Sequence, residues 1–252
     1  MALSTSVNGG AKPRAKITPM GFQMFRELLE STCGILLGDN KEYLVSSRLS
    51  GIMYDNQCES LEDLVKRMKG PGGNRLGEAV VDAMTTNETL WFRDDYPFEL
   101  LKKRLLPEFT GRRTPVKIWS AASSSGQEPY SIAMSVLEMQ QTQPGAFPGG
   151  VQIVGTDISN TMLEHCKYGH YDSLAIVRGL SAERKRQFFE PGDNGMYKVK
   201  DQVKKMVSFR QLNLLGSYSL IGRFDIVFCR NVLIYFSPEI KAKILGQIHS
   251  SL

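Results

Sequence analysis

From about residue 115 the chain alternates short apolar runs of strand length with helix-period segments, and no other feature limits the possible folds as strongly. Val116-Lys117-Ile118-Trp119-Ser120 reads as a strand, and Glu128 to Met139 as a helix with Pro129 in its first turn, where a missing N–H costs little. A Gly/Pro-rich loop spans Gln140 to Gly150. A second strand runs from Val151 to Thr156 and ends at Asp157, and Met162 to Lys167 lies on a short helix. Val207 to Gln211 is a third strand. Phe224 to Phe228 is a fourth, apolar enough to be expected at the centre of the sheet. The last helix takes Ser237 as N-cap and Pro238 as its first residue, with Ile240, Ile244, Leu245 and Ile248 facing inward. Repeated strand–helix alternation implies an α/β domain, a parallel sheet with helices on both faces.

The first part of the chain obeys a different rule. Residues 18–85 show helical periodicity and no strand pattern. Phe22, Phe25, Leu28 and Leu29 share a face, as do Leu61, Leu64, Val65 and Met68 behind a Ser60 N-cap. Leu76, Ala79, Val80, Ala83 and Met84 form a third face, after the breaker cluster Gly70-Pro71-Gly72-Gly73-Asn74. Residues 86–114 connect the two parts through a polar, then aromatic, then charged segment ending in Trp91-Phe92-Arg93. A helix follows with Phe98, Leu101, Leu105 and Phe109 inward. Residues 1–17 read as a disordered tail. Residues 168–206 interrupt the strand–helix rhythm with a charged helix, Ser181 to Phe189, a turn at 191–195, and Met196 to Lys200, which alternates like an edge strand. That stretch reads as a small insertion in a main domain covering 115–252.

Composition excludes several classes. Hydrophobic residues make up 42% and charged residues 23%, enough apolar material for a packed core. No apolar run reaches the roughly 18 residues that span a membrane, and the polar first 19 residues hold no secretory h-region. A cytoplasmic protein without membrane insertion is therefore expected. The four cysteines form no C-x-x-C pair and no metal-ligand spacing, so no metal site is expected. The net charge of +5 is uneven. Residues 1–110 carry 14 basic and 15 acidic side chains; residues 111–252 carry 17 and 11. A local basic patch facing an acidic protein fits that distribution as well as nucleic acid does.

Ligands of open parallel sheets bind beyond the carboxyl ends of the strands. The first strand runs into Ala121-Ala122-Ser123-Ser124-Ser125-Gly126-Gln127-Glu128, a small-residue loop that opens a helix. It has one glycine where a pyrophosphate cradle wants several, and acidic Glu128 stands at the helix start, where it would repel phosphate and suit an ammonium group. That argues against a nicotinamide dehydrogenase. Asp157, closing the second strand, has the position of an acid that bridges ribose hydroxyls; capping of the next helix is the alternative, although Ser159 or Asn160 could cap instead. Asn231 follows the apolar fourth strand, and Tyr235 and Phe236 beyond it suit either a site or core packing. An adenosine acid, an ammonium-compatible loop and a polar strand end point together to S-adenosylmethionine.

Five motifs then resemble, in order, the CheR-type chemotaxis receptor methyltransferases: Thr86-Asn87-Glu88-Thr89 with Phe92-Arg93; Trp119-Ser120-Ala121 with Gly126-Gln127-Glu128-Pro129-Tyr130-Ser131; Gly155-Thr156-Asp157-Ile158-Ser159; Asn213-Leu214; and Phe224 to Val232. The similarity runs from about residue 20 to 245. It implies a small all-helical domain followed by a Rossmann-like methyltransferase domain with an inserted β-subdomain. It also implies cofactor contacts at Asn87, Thr89, Arg93, Glu128, Asp157, Asn213, Leu214, Asn231 and Val232, with Tyr235 beside the transferred methyl and Arg93 and Tyr235 as the catalytic pair. Arg93 could instead pair with Asp94 or Asp95. In the glycine loop Ser123, Ser125 and Gln127 replace the family's usual Cys, Thr and first Glu, while Glu128 is kept. The chain stops at Leu252, ahead of the family's usual Pro-Gly-Gly turn and last strands, so an incomplete sheet is expected.

The resemblance implies esterification of glutamate side chains on the cytoplasmic region of a methyl-accepting chemotaxis receptor, by a monomer and without nucleic acid. Arg184-Lys185-Arg186 with Lys198, Lys200, Lys204 and Lys205 could steer an acidic receptor helix, or form an ordinary solvated face. A methyltransferase of the same fold with another acceptor, and a cofactor-binding scaffold without turnover, remain the alternatives.

Overall fold

The computed structural model describes residues 17–252, so the tail expected over 1–17 lies, but for its last residue, outside the described part. The chain divides into two compact units at Thr85/Thr86. In the first, α1 (Pro19–Cys33), α2 (Glu42–Asp55), α3 (Leu61–Lys69) and α4 (Asn74–Met84) pack around Phe25, Leu29, Val45, Leu49, Leu61, Leu64 and Val80. Local chemistry sets the ends. Thr18 caps α1 by accepting the Gly21 N–H at 3.0 Å, Ser60 caps α3 by accepting that of Asp63, and α1 stops at Gly34, whose φ of 79° suits a residue without Cβ. Arg48 on α2 donates to the carbonyls of Met84 and Thr85, covering groups that the end of α4 leaves open. The buried face of α4 differs from the expected one. Val80, Val81 and Met84 point inward and Ala79 is exposed, because burying Val81 removes more apolar surface than burying an alanine.

The second unit, Thr86–Leu252, opens with α5 (Tyr96–Leu100), which widens into a π-turn over Leu101–Leu105 and tightens to a 3-10 turn over Leu106–Phe109. The wide turn moves the inner face by one residue. Leu106 is fully buried where Leu105 was expected, and Leu105 and Phe109 only flank the core.

The sheet is parallel and four-stranded among the described residues, in the order β6 (Val207–Gln211), β2 (Val151–Asp157), β1 (Val116–Ala121), β7 (Ile226–Cys229). Its register pairs Val116 with Val151, Ile118 with Ile226 and Asp157 with Gln211. β1 and β2 are the interior strands. The fourth strand of the sequence, expected at the centre, stands at the end of this order. Its apolarity reflects cover on its faces, which does not depend on how many strands flank it. On one face, α6 (Gln127–Thr142) buries Ile132, Ala133 and Val136 against Val116, Ile118 and Ile153. On the other, α11 (Pro238–Ser251) buries Ile244 and Ile248 against Trp119 and Phe224; Leu245, expected inward, is half exposed. Helices on both faces of a parallel sheet, after an all-helical unit, make the Rossmann-like α/β architecture.

Between β2 and β6 the chain runs through α7 (Asn160–Tyr168), β3 (His170–Tyr171), α8 (Ser173–Val177), α9 (Ala182–Phe188), β4 (Phe189–Pro191), β5 (Tyr197–Val199) and α10 (Asp201–Lys204). The three short strands make an antiparallel sheet in the order β3-β5-β4. The segment expected as an edge strand is thus its middle strand; its polar alternation marks one wet face rather than an open edge.

The π-turn finding predicts an asymmetry between neighbouring leucines. Leu106→Ala should cost about 2–5 kcal/mol of stability and Leu105→Ala clearly less, both read from urea unfolding; the reverse order would restore a regular α-helix here.

Candidate active site

The carboxyl ends of β1, β2 and β7 are joined by polar side chains. Beyond β1 the chain makes a tight loop in which Ala122, Ser124 and Gly126 have φ of 58°, 50° and 95°. A Cβ at Gly126 would come within 2.9 Å of the Tyr171 hydroxyl and 3.0 Å of the Cys166 sulfur, so glycine is required there twice over. Four bonds fix the loop: Ser123 N–H to the Thr156 carbonyl (2.8 Å), Ser124 N–H to Asp157 Oδ2 (2.8 Å), Tyr171 hydroxyl to the Ser125 carbonyl (2.7 Å) and Cys166 thiol to the Ser124 carbonyl (3.1 Å).

Asp157 is buried at the end of β2 and accepts from the N–H groups of Ser124 (2.8 Å) and Ser159 (3.0 Å). It does not cap α7; Ser159 does, accepting the Met162 N–H at 3.0 Å. These two bonds orient the Asp157 carboxylate.

Glu128 lies in the first turn of α6 with its carboxylate buried. Oε1 accepts from the Ser120 hydroxyl (2.8 Å) and Oε2 from Arg230 (3.1 Å). Burial pushes its carboxyl above the usual range, while the Ser120 bond and the charges of Arg230 and Arg93 pull the other way. Arg230, just after β7, also donates to Asp94 Oδ2 (2.6 Å) and to the Arg93 carbonyl (2.8 Å). Arg230 carries one signal in the sequence, a charge placed directly after an apolar strand.

The segment before α5 closes the set. Asn87 accepts the Ser124 hydroxyl on its carbonyl (2.9 Å), and Arg93 donates to the Glu88 carbonyl (3.1 Å). Asp94 is engaged by Arg230, and among the described residues Arg93 forms no ion pair with Asp94 or Asp95. Trp91 is fully buried, edge-on to Tyr171 and Phe189, and the Phe92 N–H donates to Ser131. Phe92, Asp94 and Asp95 have φ of 49°, 66° and 40°, and Asn231 has 58°. Of the nine non-glycine residues with positive φ among those described, six lie in these loops; such strain gathers where function holds it in place.

Two hydrogen-bonded sets therefore hold these residues at the strand ends: Asn87 and Asp157 meet through Ser124, and Arg93 and Glu128 through Arg230. The Leu212 N–H reaches the Asp157 carbonyl at 2.9 Å, carrying Asn213 and Leu214 to the same end of the sheet; the Asn213 carboxamide accepts the Leu215 N–H and Leu214 is buried. Asn231 is exposed beside Arg230. Val232 and Tyr235 are half buried around a 3-10 turn at Leu233–Tyr235, while Phe236 belongs to the core. Thr89 is half buried and enters none of these bonds. An open cavity of about 500 Å³ lined by Tyr218, Arg223, Lys243 and Gln247 lies beside α11 and includes none of these residues. No group of acidic, histidine and cysteine side chains suited to a metal occurs among the described residues.

Comparison with known proteins identifies the family. Residues 20–85 match the all-alpha domain of the CheR methyltransferases and residues 87–252 their SAM-binding domain. The chain belongs to the CheR methyltransferase family. A chemotaxis protein methyltransferase of Vibrio parahaemolyticus is 58% identical over 236 residues, covering 94% of this chain and 86% of the relative. Chemotaxis protein methyltransferase 1 of Pseudomonas aeruginosa is 55% identical over 235 residues, covering 92% and 85%. A chemotaxis protein methyltransferase of Borreliella burgdorferi is 31% identical over 232 residues, covering 90% and 81%. S-adenosylmethionine is the cofactor of this CheR-family domain, and the donor set suits it: a carboxylate oriented at the end of β2 and an acidic side chain, Glu128, bonded to the end of β1.

The basic run singled out by its charge is largely engaged within the molecule. Arg184 forks onto Glu138 at 2.6 and 3.2 Å and lies over the Phe92 ring, Lys198 pairs with Glu190, and Lys200 and Lys204 donate to backbone carbonyls. Burial alone would raise the Glu138 carboxyl; bonds from Arg184 and Lys102 hold it below the usual range.

Asp157→Asn should destabilise the cofactor-free protein by about 1.5–3 kcal/mol, since a carboxamide accepts on one oxygen where two backbone N–H groups now find acceptors. Thermal unfolding checks this, and an unchanged melting temperature would remove the loop-fixing role of Asp157.

Proposed function

We propose that this chain transfers the methyl of S-adenosylmethionine to glutamate side chains in the cytoplasmic region of a chemotaxis receptor. The observation that carries the reading is the pair of fixed carboxylates at neighbouring strand ends, Asp157 and Glu128, in a chain that belongs to the CheR family. In this reading Asp157 takes the ribose hydroxyls and Glu128 the cofactor's ammonium. Asn87, Thr89, Arg93, Asn213, Leu214, Asn231 and Val232 complete the cofactor contacts, and Tyr235 stands beside the methyl. When bound, the cofactor supplies a methyl activated by its sulfonium.

A glutamate carboxyl has a reference pKa of about 4.3 and is already ionised at neutral pH, so the acceptor needs no base. The chain's contribution is alignment and exclusion of water. Arg93 is suited to hold the incoming carboxylate or the cofactor, because Asp94 is taken by Arg230. Tyr235, half buried on the turn after Asn231, is suited to orient the acceptor. The named relatives are chemotaxis protein methyltransferases, which supports a receptor as the substrate.

The test is transfer of radiolabelled methyl from S-adenosylmethionine to receptor cytoplasmic fragments. Wild type should give an alkali-labile ester that is lost when the acceptor glutamates are changed to alanine. Arg93→Ala and Tyr235→Phe should lose about tenfold or more in rate while staying folded, within the range for positioning groups. Label on no receptor fragment, or wild-type rates in both variants, would refute the substrate and the two roles respectively.

A further inference from the structure

Arg230 connects three separate parts of the site. It follows β7, donates to the buried Glu128 carboxylate in the first turn of α6, and grips both the Arg93 carbonyl and the Asp94 carboxylate in the strained turn before α5. The fork of the guanidinium makes this possible, since Nη1 faces Glu128 while Nη2 faces residues 93 and 94; a lysine ammonium could match the charge but not both directions. The Arg230 and Glu128 side chains are 17% and 14% exposed, so water does little to replace either partner.

We propose that Arg230 is a positioning residue for the amino-acid end of the cofactor, holding Glu128 in place and fixing the turn that presents Arg93. The proposal rests on Glu128 being the ammonium partner, as read above. Glu128 is faced by Arg230 and Cys229 from the end of β7, by Ser120 from β1, and by Arg93 with Asp94 from the turn. Burial pushes the Cys229 thiol up to about 11, so it is neutral over the working range. Arg230 and Arg93 are then the cations that favour the charged Glu128, and Arg230 is the one bonded to it. A buried carboxylate whose folded pKa stands above its unfolded value costs stability as pH rises through the folded value. Removing Arg230 raises that folded value further and deepens the cost at neutral pH.

The experiment compares wild type, Arg230→Met, Arg230→Lys, Glu128→Gln and the double variant Arg230→Met/Glu128→Gln. Thermal unfolding without cofactor comes first. Arg230→Met should lower the melting temperature on the order of 10 °C at pH 7.5, or prevent folding, and the added Glu128→Gln should return most of it because the uncompensated charge is gone. Additive losses, or a double variant as unstable as the single, would overturn the proposal. Calorimetry with S-adenosylhomocysteine from pH 5.5 to 8.5 follows. The acidic limb of binding should move up by about 1–3 pH units in Arg230→Met and stay near wild type in Arg230→Lys; the wild-type limb in Arg230→Met would also overturn it. Wild type that fails to bind S-adenosylhomocysteine, with the unfolding rescue intact, refutes the assignment of Glu128 to the cofactor and the proposal with it, leaving a structural ion pair.

Discussion

The bond from the Ser124 backbone N–H to Asp157 is the constraint on which the site depends. A parallel sheet brings its strand ends to one side but leaves the loops beyond them undefined. Here the end of β2 supplies a carboxylate that accepts from the loop leaving β1, and the loop accepts in turn from Cys166 and Tyr171 behind it. The loop can then adopt three positive-φ positions within five residues, which free chain would not hold. The result is a backbone drawn close to the strand ends, with small side chains on it, where a nucleoside can approach.

Charge is handled by the same economy of position. Glu128 is buried where an isolated carboxylate would be very costly, and it is tolerated because Ser120 and Arg230 meet its two oxygens. Arg230 then extends the network to the segment carrying Arg93. Glu138, two to three turns further along α6, is held by Arg184 and Lys102, joining the inserted segment and the π-turn after α5 to the same helix. α6 is thereby the helix on which both of these ion-pair clusters meet.

Much of this was legible in the sequence, for physical reasons. Strand ends such as Asp157 could be read because an acid after an apolar run has few structural uses, and the caps Ser60 and Ser237 because serine before a helical period has a mechanism. What could not be read required knowing a neighbour. Nothing local in the sequence marks the π-turn that replaces Leu105 with Leu106, or the choice of Val81 over Ala79. Apolarity placed Ile226 to Cys229 in a covered sheet but could not say which strands flank it. The charges of Arg184, Lys198 and Lys200 look like a steering surface in one dimension and prove to be engaged at short range in three. Arg230 escaped for the same reason: its three partners are distant in sequence.

The most direct test of the central claim is a crystal structure of the protein with S-adenosylhomocysteine. The account predicts the sugar hydroxyls on Asp157 and the amino group on Glu128, beyond the ends of β1 and β2. Density for the nucleoside in the cavity beside α11, or at the strand ends with Asp157 turned away from the ribose, would contradict it.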